Sequence, residues 1–145
     1  MRFGVIGASS LLTALSVLFA AESGFAQTIG YAERIDLYAY GTRPGDVRRP
    51  LFVRNELVSN QIVETVERGG AALRLADDTS FVIGPASTVT LDRYVSDPQT
   101  SAGEAAIRLG VGTFRYVSGR MAKERISIRV PAATIGVRGT TIGIQ

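Results

Sequence analysis

The chain of 145 residues contains no cysteine and no histidine. Without cysteine no disulfide can form, so core packing and hydrogen bonding must supply the stability of the folded part. Without histidine, the Ser-His-Asp and Cys-His arrangements that activate a nucleophile are excluded, and the usual zinc and copper sites are excluded with them. We therefore predict a protein that is not an enzyme and that has no metal site and no cofactor.

Paired carboxylates are the catalytic groups that remain. Glu64 and Glu67 would point to opposite faces of a strand, because their separation is odd. Asp77 and Asp78 stand where a hairpin needs residues that tolerate a positive φ, which aspartate does better than most residues. We interpret this pair as a solvated turn, since a calcium site needs about six to eight oxygen ligands and more acidic residues nearby.

Lysine is almost absent as well. Of the 16 basic residues, only Lys123 is lysine; the others are arginines that are spread along the chain without a dense run, and the net charge is +3. Nucleic-acid binding normally requires a basic stripe beside aromatic residues or a recognisable module. We predict no nucleic-acid partner.

Long apolar runs are confined to the N-terminus, where residues 3–21 carry no charge between Arg2 and Glu22. The basic start, the apolar centre and the small residues that end at Ala26 predict a secretory signal helix over residues 1–26, cleaved after Ala26. The alternative is an uncleaved helical anchor, because about 17–25 residues can span a bilayer. Cleavage would leave residues 27–145 as one periplasmic or secreted domain without a membrane span.

After residue 26 the apolar residues recur with a period close to two, in short runs between Gly, Pro, Asp and Asn. The clearest alternation runs from Ile126 to Val130. This pattern predicts a single-domain β-sandwich or β-roll of short, mostly antiparallel strands. Within it, we interpret residues 29–40 as a first strand pair or one long bent strand, and residues 96–103 as an exposed loop.

Several glycines and one arginine have positions that suggest a structural role. Gly110, Gly112, Gly136 and Gly139 lack the spacing of a phosphate-binding loop. Gly136 and Gly139, three apart in an apolar run, indicate bulges or close backbone approach in a sheet. Arg138 is a charged residue in an apolar segment. We predict that its guanidinium locks the final strand by holding backbone carbonyls or a carboxylate, with Asp77, Asp78 and Asp92 as candidate acceptors.

The same segment carries a family resemblance. Residues 131–140, PAATIGVRGT, resemble the terminal signature of the FecR domain, T-P-x-A-x-x-G-V-R-G-T, whose core here is Gly136, Val137, Arg138, Gly139 and Thr140. Residues 71–91 resemble the family's a-x-L-x-L-x-D-G-S block, and residues 109–115 its L-x-x-G-x-x-R segment. Asp78 stands where the family usually has Gly, and Val130 where Thr usually precedes the Pro. The resemblance extends over residues 29–145.

The resemblance implies an extracytoplasmic β-domain. In the best-known members this domain senses an outer-membrane transporter, while a cytoplasmic N-terminal part controls a sigma factor. Because residues 1–26 occupy the place of that part, we predict a stand-alone exported form that acts as a periplasmic sensing or protein-interaction module in envelope signalling.

An alternative is a module that binds an envelope polysaccharide or a small ligand. Arg115 and Arg129 would then contact the ligand, and tyrosines would offer stacking surfaces: Tyr31, Tyr38, Tyr40, Tyr94 and Tyr116. Residues 141–145 are strand-like. We expect either that the domain closes with this strand at an exposed edge, or that the chain is a shortened form whose edge a partner completes.

Overall fold

The computed structural model describes residues 27–96, 103–131, 133–136 and 141–144. The predicted signal helix over residues 1–26 lies outside this part of the chain, as does most of the loop predicted at residues 96–103.

The described residues form short strands and one 3₁₀ turn at Lys123–Arg125. The strands are β1 (Thr28–Asp36), β2 (Ala39–Thr42), β3 (Arg49–Pro50), β4 (Glu56–Val58), β5 (Gln61–Thr65), β6 (Gly70–Leu75), β7 (Ser80–Ile83), β8 (Thr88–Ser96), β9 (Gly103–Leu109), β10 (Phe114–Val117), β11 (Ile126–Val130), β12 (Ala133–Gly136) and β13 (Thr141–Ile144).

Two sheets share these strands. Sheet A has the order β13-β10-β7-β6-β1-β4, and sheet B has the order β12-β11-β9-β8-β5-β2-β3. Neighbouring strands are antiparallel except β9 and β11, which pair in parallel. A parallel pair needs a crossover, and here the chain makes it through β10 in the other sheet. The predicted all-β sandwich of mostly antiparallel strands is confirmed.

The first two strands show which of the two alternatives predicted for residues 29–40 is wrong. β1 and β2 do not form a pair, because β1 belongs to sheet A and β2 to sheet B. The chain bends between them at Leu37, which has a φ of 63°. A strand that bends and changes sheets has the same alternating sequence as a hairpin, so the pattern alone could not separate the two alternatives.

Alternation along the strands places one row of side chains from each sheet in a common core. In β6, Leu73 and Leu75 are buried while Arg74 between them is partly exposed. Phe81 of β7 and Phe114 of β10 stack in this core with ring centroids 6.0 Å apart. Each large apolar side chain buried in this way contributes about 1.5–3 kcal/mol to folding. The core therefore holds the two sheets together without disulfides.

Candidate interaction surface

Asp77 is a buried residue in the turn between β6 and β7, with only 2% of its surface exposed. Its Oδ1 accepts hydrogen bonds from the Thr79 amide, at 2.9 Å, and from the Tyr94 hydroxyl. Its Oδ2 accepts from the Thr79 hydroxyl at 2.9 Å and from the Met121 amide at 3.1 Å. The expectation that both turn aspartates are solvated is thus wrong for Asp77.

Asp78, the second aspartate of this turn, is exposed and has a φ of 68°. Its Oδ2 lies 3.2 Å from Nε of Arg120. The two neighbouring aspartates therefore have different roles. Asp77 accepts hydrogen bonds from buried groups, and Asp78 adopts the left-handed conformation that the turn requires.

Hydrogen bonds around Asp77 join both sheets to the segment that follows β10. Tyr94 belongs to β8 of sheet B, whereas Thr79 directly precedes β7 of sheet A. The Gly119 amide donates to the Thr79 hydroxyl at 3.0 Å, and the Arg120 amide donates to the Asp77 carbonyl at 2.8 Å. Residues 119–121 are in this way held over the turn. We interpret the arrangement as a structural lock.

The charges in this network remain in fixed states near neutral pH. Burial opposes ionisation of Asp77, but its hydrogen bonds from Tyr94, Thr79 and Met121 outweigh that effect and hold its pKa below the ordinary value. Burial, aided by the adjacent Asp77 carboxylate, raises the pKa of Tyr94. Burial likewise raises the pKa of Tyr116 to about 12. The ionised Asp77 carboxylate therefore accepts hydrogen bonds from neutral donors.

We predict an acid-dependent loss of stability from Asp77. Because its pKa is lower in the folded state than the ordinary value of 3.8, its contribution is complete above about pH 4 and decreases as the pH falls through the folded-state pKa. Urea unfolding of the wild type and Asp77→Asn between about pH 2 and pH 6 should therefore show a free-energy difference that shrinks below about pH 4. A difference that is constant across this range would contradict the prediction.

Arg115 and Arg129 do not form one surface. Arg115 lies on β10 of sheet A and Arg129 on β11 of sheet B. Both are exposed and alternate with buried residues, so each points outward from its own sheet. Ligand binding by these two arginines together is therefore excluded by the fold.

The tyrosines also divide into separate groups. Tyr94 and Tyr116 are each 2% exposed, so the idea that they offer stacking surfaces is wrong. Tyr31 and Tyr38 are exposed. Tyr40 is covered by the Arg48 guanidinium, which lies 3.5 Å from the ring centroid.

One edge of each sheet is closed by side chains. On β4, the edge strand of sheet A, Arg43 donates to the Glu56 carbonyl at 3.0 Å, and the Val58 amide donates to Oε1 of Gln61 at 3.0 Å. On β3, the edge strand of sheet B, Pro50 has no amide hydrogen to donate. Such features prevent a further strand from pairing.

The opposite edges are formed by the last two strands. β12 pairs with β11 in sheet B, and β13 pairs with β10 in sheet A. Within the described part of the chain, each has a strand neighbour on one side only. The chain passes from sheet B at Gly136 to sheet A at Thr141, so the residues between them connect the two edges.

A family model described as FecR protein matches residues 61–145, which is more than half of the chain. The chain belongs to the FecR family. FecR proteins are a non-enzymatic family with signalling and regulatory roles in the periplasm. Comparisons with curated proteins and with solved structures found no match. The FecR match contains β5 to β13, whereas β1 to β4, which the resemblance included from residue 29, precede it.

The structure gives physical reasons for two features of the FecR motifs. The aspartate of the L-x-D-G-S block is Asp77, which is the acceptor at the centre of the hydrogen bonds from Thr79 and Met121. The position where Gly is usual is Asp78, whose positive φ is a conformation that glycine adopts without strain. These two positions could be recognised from the motif, but their roles depend on the fold.

Arg138 and its neighbours in the FecR signature, residues 137–140, lie outside the described residues. The three proposed acceptors already have other partners: Asp77 binds Thr79, Tyr94 and Met121, Asp78 binds Arg120, and Asp92 binds Arg108 at 2.9 Å. A lock formed by Arg138 remains a prediction, with a carboxylate or backbone carbonyls as its acceptors.

The described part of the chain has no helix that is long and apolar enough to cross a membrane. The same residues contain no group of three or more acidic side chains that could hold a metal ion.

Proposed function

We propose that this FecR protein is an exported sensing module of the periplasm that acts by binding another envelope protein. Export is assigned to the leader at residues 1–26, with cleavage after Ala26. An uncleaved N-terminal anchor is the alternative, and the first residue of the exported protein, Gln27 or Met1, separates the two.

The asymmetry of the sheet edges supports this proposal. The β3 and β4 edges are closed by Pro50, Arg43 and Gln61. The β12 and β13 edges belong to the segment that matches the FecR model. A strand edge binds an extended segment of another protein through main-chain hydrogen bonds. We assign the partner to β13, the C-terminal strand of sheet A.

Site-specific crosslinking tests this assignment. A photoreactive residue at Thr141, on β13, should capture one envelope protein in intact cells, whereas the same residue at Glu56, on the closed β4 edge, should not. Mass spectrometry identifies the captured protein. Equal capture from both positions, or capture from Glu56 alone, would contradict binding at β13.

Proline variants provide a matched control for the crosslink. Ile142 and Gly143 are adjacent in β13, and successive amides of an edge strand point alternately to the neighbouring strand and away from it. Of Ile142→Pro and Gly143→Pro, one should lose a hydrogen bond to β10 and unfold at a lower temperature. The other should keep the wild-type melting temperature and lose the crosslink from Thr141. Retained crosslinking in this folded variant would show that the edge does not bind the partner by strand addition.

A further inference from the structure

The closed side of the sandwich contains a polar cleft between the edges of the two sheets. Its volume is about 290 Å³, near the lower end of the roughly 300–1,000 Å³ that small-molecule sites occupy. The cleft therefore suits a ligand of about the size of one sugar residue. The residues that matter for recognition are Gly41, Arg43, Arg49, Leu51, Asn55 and Gln61.

Gln61 places a fixed amide at the base of this cleft. The side chain is 2% exposed, and its Oε1 accepts the Val58 amide at 3.0 Å. That bond orients the amide, and Nε2 lies beside Gly41, where a Cβ atom would be only 2.6 Å away. No hydrogen-bond acceptor for Nε2 occurs among the described residues. Since no buried side-chain nitrogen or oxygen of these residues lacks a hydrogen-bond partner, Nε2 keeps contact with the solvent of the cleft, beside the glycine that leaves room for it.

Asn55 repeats this arrangement at the rim. Its Oδ1 accepts the Phe52 amide at 2.9 Å, so its amino group is the end that remains for a ligand. Arg43 uses one N–H for the Glu56 carbonyl, and Arg49 uses one for Asp46 at 3.2 Å. Because a guanidinium carries five N–H donors, the cleft has more donors than its own acceptors use.

The excess of donors determines the chemistry of the ligand. Guanidinium groups bind carboxylates with particular strength and geometry. The charge of Arg49 is balanced by the Asp46 carboxylate, 3.2 Å away, and the Glu56 carboxylate also lines the cleft, so a simple anion would gain little from charge alone. The two amides and the two carboxylates can instead bind hydroxyl groups, above an apolar floor formed by Leu51.

We propose that this cleft binds an acidic sugar, with its carboxylate on the arginines and its hydroxyl groups on Gln61 and Asn55. The sugar is either free or a residue of an envelope polysaccharide. The site lies on the opposite side of the sandwich from β13, so its failure would leave the proposed protein partner untouched.

Titration with named sugars, followed by ¹⁵N–¹H NMR of the purified protein, tests the proposal. Galacturonate should shift the Gln61 side-chain amide and the Val58 backbone amide. Galactose, which lacks the carboxylate, and succinate, which lacks the ring hydroxyls, should each bind at least about tenfold more weakly. The proposal would be overturned if galactose or succinate bound as tightly as galacturonate, or if galacturonate caused no shift at these amides. Oligogalacturonate distinguishes the sources, since a polysaccharide site should bind it more tightly than the free sugar.

Two adjacent arginines supply the matched variants. Arg49→Gln should weaken galacturonate binding at least about tenfold, whereas Arg48→Gln should bind as the wild type does, because Arg48 lies on the Tyr40 ring and not in the cleft. Asn55→Asp keeps the acceptor for Phe52 but replaces the amino group by a charge that repels a carboxylate, so it should also bind weakly. Wild-type binding by Arg49→Gln, or equal loss in both arginine variants, would overturn the assignment.

Discussion

Replacing Asp77 with alanine is expected to lower the free energy of unfolding by about 3–5 kcal/mol. The change removes the acceptor for the amides of Thr79 and Met121 and for the hydroxyl groups of Thr79 and Tyr94. These donors are buried, and a buried donor left without a partner costs about 1–3 kcal/mol. Urea unfolding at neutral pH measures the loss.

Asp78→Asn is the control for this prediction. Asn tolerates the same positive φ, and the variant loses only the exposed ion pair with Arg120, in which the two side chains are 68% and 56% exposed. Such a pair contributes between zero and about 1 kcal/mol. We expect a change below about 1 kcal/mol. Similar losses in Asp77→Ala and Asp78→Asn would show that the turn conformation, and not the buried carboxylate, determines the free energy of unfolding that is lost.

The two aspartates of this turn, one buried and one exposed, show which property of a turn residue the sequence does not predict. The alternation of residues 71–76 and the paired aspartates correctly predict a strand followed by a turn. Whether a turn carboxylate faces water or the interior depends on what covers it, and here the cover is Met121, far along the chain. The motif match supplies an aspartate at this position, but the local pattern contains no signal for the two distant donors, Tyr94 and Met121.

Long-range pairing also explains the misassigned arginines. Arg115 and Arg129 have the same local pattern, since each is an exposed residue between apolar neighbours that are buried or partly buried. Period two predicts that both point outward, and both do. It does not assign a strand to a sheet, because β10 and β11 are consecutive along the described strands yet belong to different sheets. The parallel pairing of β9 with β11 was missed for the same reason.

The polar cleft could not be found from local pattern either. Gln61 begins β5 at a position where alternation predicts a buried residue, and a glutamine there has no obvious partner in the sequence. Its partners are Val58, three residues earlier, and Gly41 on the neighbouring strand β2. Only the pairing of β2 with β5 shows why the glycine is needed.

Gly112→Ala is expected to lower the free energy of unfolding by about 3–5 kcal/mol. Gly112 has a φ of 135°, a conformation that L residues rarely adopt. A Cβ atom at this position would lie 2.6 Å from Cα of Ser87. Ser87 cannot yield easily, because it is 1% exposed and its hydroxyl accepts the Thr113 amide at 3.1 Å and donates to the Pro85 carbonyl at 2.9 Å. Thermal and urea unfolding measure the effect.

Gly45→Ala is the control for a positive φ without a steric contact. Gly45 also has a positive φ, of 73°, but a Cβ atom there would meet nothing within 4 Å. This variant should lose only the energy of the left-handed backbone, about 1–2 kcal/mol. The difference between the two variants then contains the close approach of Gly112 to Ser87, which joins the segment before β10 to the start of β8, and the greater cost of a φ of 135° than of 73° to an L residue. If Gly45→Ala and Gly112→Ala are destabilised equally, backbone conformation alone is responsible and the contact with Ser87 is not.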